Sequence, residues 1–178
     1  LADAYGVDAL RYFFMREVPF GQDGNYSYEA IATRINAELA NDLGNLFSRS
    51  LSMTHKYFSG KVPECGQLME LDREVLEIGH NAMANFKIQF EHFQFSRAMK
   101  SLWDLVRHLN KYIDTAAPWT LFKNQDLIRL GTVIYVILEG MRKVAVHLWP
   151  VMPSTSETML AQLGVKFSLE GADLEAET

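Results

Sequence analysis

The chain has 178 residues, 48% of them apolar, 22% charged and 12% aromatic, with a formal net charge of −5, so it can bury one good core and carry a short appendage. No apolar run approaches the ~20 residues that span a bilayer, and the N-terminal residues do not read as a secretory signal, so no membrane is expected as a partner. The single cysteine, Cys65, excludes an internal disulfide and a multi-thiolate metal site and fits a reducing, cytoplasmic compartment.

The pattern is helical nearly throughout. A first short helix is expected from about Val7 to Glu17, stopped by Pro19, and its run Tyr12, Phe13, Phe14 calls for a surface to bury it. Phe20 to Tyr26, with Gly21, Asp23, Gly24 and Asn25, reads as a turn cluster. Ser27 is the expected N-cap of a long helix reaching about Phe58. Ile31, Ile35, Leu39, Leu43, Leu46 and Phe47 form its core stripe, and Gly60 and Pro63 close it. A third helix, about Asp72 to Phe90, turns Val75, Leu76, Ala82, Met83 and Phe86 inward.

The fourth helix, near Ser96 to Thr115, is the cleanest. Ala98, Leu102, Leu105, Val106, Leu109, Tyr112 and Ile113 share one face, while Arg97, Lys100, Arg107 and Lys111 lie toward the other. Pro118 stops the pattern, and a fifth helix runs from about Asp126 to Leu148 and ends at Pro150. Its run Ile134 to Leu138 is apolar on most of the surface, which marks it as the central helix. Ser154-Thr155-Ser156-Glu157 reads as a capping box for a last short helix ending at Gly164. Beyond it Glu170, Asp173, Glu175 and Glu177 stand without a basic residue, as in a frayed acidic tail. The expected fold is all-α, a bundle of four long helices with short flanking helices. Residues 1–26 precede the bundle, 27–165 form it, and 166–178 are the tail.

No catalytic constellation appears in this sequence. Glu77-Ile78-Gly79-His80 has the Glu-x-x-His spacing of di-iron bundles, but no second such pair exists, and a solvated helix face is the simpler reading. His55, His108 and His147 have no partner at metal-ligand spacing, so no metal is expected. A Gly-rich phosphate loop and a Gly-x-Ser-x-Gly elbow are both missing.

A binding role is better supported. The overall charge argues against nucleic acid, but between Gln94 and Leu130 the cations Arg97, Lys100, Arg107, Lys111, Lys123 and Arg129 outnumber Asp104, Asp114 and Asp126. That window contains Asp114-Thr115-Ala116-Ala117-Pro118-Trp119, with a tryptophan just past a helix end. Trp119 either covers that end or offers a platform for an unpaired base. On the earlier helix, Asn45 and Arg49 are four apart and share a face, an amide beside a guanidinium that can read a base edge. Their plainer roles are a solvated side chain and a surface ion pair. A helical protein-interaction scaffold with Trp119 as anchor is the competing class. Base recognition requires Asn45, Arg49 and Trp119 on one exposed patch near cations, whereas a scaffold would surround Trp119 with exposed Leu, Ile or Met.

Ala117-Pro118-Trp119, together with Asn45-Leu46-Phe47-Ser48-Arg49, resembles the anticodon-binding helical domain of methionyl-tRNA synthetases. Asp3 to Arg16 is similar to the segment that follows the Lys-Met-Ser-Lys-Ser loop of class I synthetases, and Ala32 to Arg49 to the helix that opens the anticodon domain. Those two segments are shared with leucyl, isoleucyl, valyl and cysteinyl relatives, which stay open as alternatives. The resemblance implies a parent that joins methionine to its tRNA, initiator and elongator, with ATP and Mg in a catalytic domain upstream. The family's catalytic signatures are missing here, so no cofactor is implied in this segment and residues 1–26 become the connector to the catalytic domain. A start at Leu1, without an initiator methionine, fits a piece of a longer protein. Trp119 would stack on the cytosine at the first anticodon position, with Asn45 and Arg49 bonding anticodon bases and Arg107, Lys111 and Lys123 meeting phosphates.

Overall fold

Apolar residues repeating every three or four positions can be covered only by other helices, and the chain closes on itself in that way. In a computed structural model, residues 2–17 and 27–166 are described. The expected stop at Pro19, the turn cluster 20–26 and the acidic tail lie outside them. Among the described residues the order is α1 (Ala2–Tyr5), α2 (Val7–Glu17), α3 (Tyr28–Arg34), a π-helical segment (Ile35–Gly44), α4 (Asn45–Phe58), α5 (Glu70–Glu91), α6 (Phe95–Ala116), α7 (Pro118–Lys123), α8 (Leu127–Leu148) and α9 (Pro153–Gln162).

The expected long second helix is continuous, and Ser27 caps it by accepting a hydrogen bond from the Ala30 N–H at 3.1 Å. Its middle is wound as a π-helix, which the sequence reading did not anticipate. From the π segment into α4 this helix runs parallel to α6: the Trp103 indole N–H donates to the Glu38 carbonyl, Asn110 Nδ2 to the Asp42 carbonyl, and Arg49 pairs with Asp114. α5 runs parallel to α8, since Asp72 meets Arg129 near one end of each and Phe86 meets His147 near the other. The two pairs are mutually antiparallel, an up-down-up-down bundle.

All seven residues of the apolar face expected for α6 are buried, and most of α8 is buried around its whole circumference, so it is the central helix. Gly140 lets α8 come close to α6, because a Cβ there would lie 2.7 Å from Leu109. At the end where α5 and α8 begin, Asp72 is fully buried and accepts from Arg129 (2.5 and 2.8 Å), from the Tyr112 hydroxyl (2.5 Å) and from the Met69 N–H (2.8 Å). Burial alone would raise the Asp72 carboxyl, but these donors hold it below the usual carboxylate range.

α2 is fastened to the opposite end. Glu38 is nearly buried and accepts from the Tyr12 hydroxyl and from Arg16 and Arg34, each at 3.1 Å. Burial, then the bond to Glu38, pushes the Tyr12 hydroxyl far above its ordinary value. Asp8 accepts from the Thr155 N–H at 2.7 Å and from its hydroxyl at 2.8 Å. This corrects the expected capping box: Pro153 takes the first helical position, Ser154 lies inside α9, and Glu157 accepts from the Trp149 indole instead. One N-terminal N–H group of α9, that of Thr155, is served by a carboxylate from α2.

Candidate nucleic-acid interface

The bundle end where α4 and α6 finish carries the residues singled out for binding. α6 stops at Ala116 because Pro118 cannot continue it, and Ala117 takes a left-handed conformation (φ 45°, ψ 62°). Pro118 then occupies the first position of a new helix, where its fixed φ suits the turn. Trp119 therefore sits on α7, a six-residue helix, and not in a loop after α6. It is 47% exposed, and its indole N–H has no hydrogen-bond partner among the described residues. Pro118, the residue before it, is buried.

Two contacts fix how this segment lies. Arg49 Nη2 donates to Asp114 Oδ1 at 2.9 Å, and the Phe122 ring stacks on Tyr57 with centroids 4.6 Å apart and planes at 28°. Residues 114–122 thus follow α4 from Arg49 to Tyr57, a rise of about 12 Å over eight helical residues. Trp119 lies between those two fastenings. Asn45 is exposed one turn before Arg49 on the same face, and its side chain has no hydrogen bond among the described residues.

Arg49 does make the surface ion pair that sequence reasoning set against base reading. The side chains are 42% and 65% exposed, so the pair contributes only about 0.2–1 kcal/mol to folding. One guanidinium N–H meets Asp114, and the other donors of the fork have no partner among the described residues. Of the remaining cations, Lys111 and Lys123 are exposed on α6 and α7, while Arg107 is paired with Asp104 at 2.6 Å. Exposed apolar residues also occur on and just after α7: Phe122, Leu127 and Ile128, the last 81% exposed. Sequence reasoning did not single out Tyr57 or Phe122. Recognising α7 as a helix would have put Phe122 beside Trp119, three residues on.

Among the described residues no helix is long and apolar enough to cross a membrane, and no three His, Cys, Asp or Glu side chains gather as metal ligands.

Residues 62–176 match the family model for the anticodon binding domain of methionyl tRNA ligase, and residues 1–51 match the model for class I tRNA synthetases (M). The methionine–tRNA ligase of Caldanaerobacter subterraneus subsp. tengcongensis is 45% identical over 166 residues, 93% of this chain and 26% of the relative. That of Brucella suis is 44% identical over 165 residues, 93% of this chain and 32% of the relative. The solved Mycobacterium tuberculosis methionyl-tRNA synthetase in complex with methionyl-adenylate superposes with a TM-score of 0.92 at 40% identity, covering 99% of this chain and 35% of that one. The chain thus spans between a quarter and about a third of the length of these relatives. The match is to the methionyl branch, and the leucyl, isoleucyl, valyl and cysteinyl alternatives give way to it. On its sequence and its fold, this chain belongs to the family of methionyl-tRNA ligase anticodon-binding domains.

Proposed function

We propose that the chain is the anticodon-recognition part of a cytoplasmic methionine–tRNA ligase, acting on initiator and elongator methionine tRNA. Residues 27–165 serve as the recognition bundle, 1–26 as the connector to a catalytic part, and 166–178 as an acidic tail. ATP and Mg2+ act in that catalytic part, and the residues of this chain take no role in the adenylation chemistry.

In this reading Trp119 stacks on the cytosine at the first anticodon position, and Asn45 and Arg49 hydrogen-bond the edges of anticodon bases. Arg107, Lys111 and Lys123 meet backbone phosphates. The observation that carries it is Trp119 itself, half-exposed on a short helix that follows α4 past Arg49, with its indole N–H unpartnered among the described residues. Asp114 supports the reading too, because it takes one guanidinium N–H of Arg49 and leaves others for a base edge.

The test is binding to the anticodon stem-loop of methionine tRNA against a loop with a changed first base. Loss of about 1–3 kcal/mol on the changed loop supports base reading. Equal affinity for both refutes it. The scaffold reading draws on Leu127 and Ile128, exposed at the same end. Under it, the chain prefers no stem-loop.

A further inference from the structure

Next to Trp119 lies an aromatic surface that base recognition by Trp119, Asn45 and Arg49 does not use. Trp119 and Phe122 are three residues apart on α7, so their side chains emerge on one face about 5–6 Å apart at Cβ. One face of the Phe122 ring is covered by Tyr57, with centroids at 4.6 Å. Phe122 is nevertheless 42% exposed. Tyr57 backs the ring against α4. Cations flank the shelf: Lys56 Nζ lies 5.4 Å from the Tyr57 ring centroid, and exposed Lys123 follows Phe122 directly. A ring stacked against a neighbour yet still part-exposed, with lysines on the adjoining residues, suits a nucleotide, with the base stacked and the phosphate near a lysine.

We propose that Phe122, backed by Tyr57, is a second stacking platform, holding the nucleotide next to the one on Trp119, with Lys56 and Lys123 against its phosphates. The inference rests on the anticodon-loop reading of Trp119. Phe122 contributes affinity through the π-face of the base, and so tolerates any base there.

The experiment uses the full chain, the methionine anticodon stem-loop, and a set of loops each with one abasic nucleotide. Trp119→Ala should lose its effect on one abasic loop, which identifies its nucleotide. Phe122→Leu should weaken the intact loop by ~5-fold or more and lose that effect on the loop abasic at an adjacent position. Phe122→Tyr, which keeps the ring and the Tyr57 stack, should bind as the parent does, so that a folding defect in Phe122→Leu cannot be mistaken for lost stacking. If Trp119→Ala is position-specific while Phe122→Leu costs less than about two-fold, or weakens every abasic loop equally, the second platform is overturned and the Trp119 reading stands. If Trp119→Ala also shows no position dependence, both fall together.

Discussion

Replacing Trp119 by alanine perturbs folding and binding by amounts of similar size, and the structure allows them to be separated. A tryptophan side chain offers up to about 250 Å² for burial. At 47% exposure roughly half of that is covered, so its removal costs up to about 3 kcal/mol of folding stability, an upper figure because unfolded chains already cover some apolar surface. A melting shift is therefore expected and does not by itself speak against a binding role. Lost stacking costs a further 1–3 kcal/mol of RNA affinity, roughly a 5- to 150-fold rise in Kd. A domain of ordinary stability, about 5–15 kcal/mol, keeps at least about 2 kcal/mol after the substitution and stays more than roughly nine-tenths folded. Unfolding therefore cannot account for a Kd change larger than about 10%. The assay is fluorescence anisotropy of the labelled methionine anticodon stem-loop at 25 °C, with thermal melting by circular dichroism on the same samples. A lowered melting point with Kd within about two-fold of the parent would refute the stacking role and leave Trp119 a purely structural one.

Arg49→Gln should weaken the cognate loop more than a loop with a substituted anticodon, narrowing discrimination by about 1–3 kcal/mol, and Asn45→Ala should do the same. A uniform loss in stem-loop titrations would reduce Arg49 to a phosphate contact. Asp114→Asn removes a negative charge from the face and releases Arg49, so it should tighten all loops somewhat while narrowing discrimination; weaker binding to every loop would contradict this. Lys111→Gln should lower affinity for all loops alike and reduce the salt slope by about one, whereas Arg107→Gln should do less because Asp104 already neutralises that cation. Asp72→Asn should cost about 3–5 kcal/mol at neutral pH, since it strips the countercharge from Arg129, whose side chain is 12% exposed. The folded-state carboxyl is held low, so its stabilisation is complete above the unfolded value of about 3.9 and disappears as pH falls through the folded value. Urea titrations should therefore show parent and Asp72→Asn converging only in strong acid, and a difference that closes near neutrality would refute the role.

Much of the fold was legible because its determinants are local. The α6 stripe from Ala98 to Ile113, the all-round apolar character of α8 and the Ser27 cap are patterns over a few turns of one helix, and each stands in the structure where the sequence put it. The π-helical segment left only a faint trace. Ile31, Ile35, Leu39 and Leu43 repeat every four residues, which drifts by about 40° per step on an α-helix and is taken up by wider turns. α7 hid behind Pro118, which signals a stop as readily as a start, and only the Phe122 stack on Tyr57 shows that the chain continues along α4.

Tertiary structure decided the rest through contacts between distant residues. Sequence reasoning gave α9 its own capping box, yet the carboxylate that takes the Thr155 N–H in its first turn is Asp8, 147 positions away. Nothing near Arg49 in the sequence announces Asp114, 65 positions on, although that pair sets the guanidinium beside the helix end that leads to Trp119. Periodicity states which face of a helix is covered. It does not state which neighbour covers it, because one apolar stripe fits many partners until packing and charge choose among them.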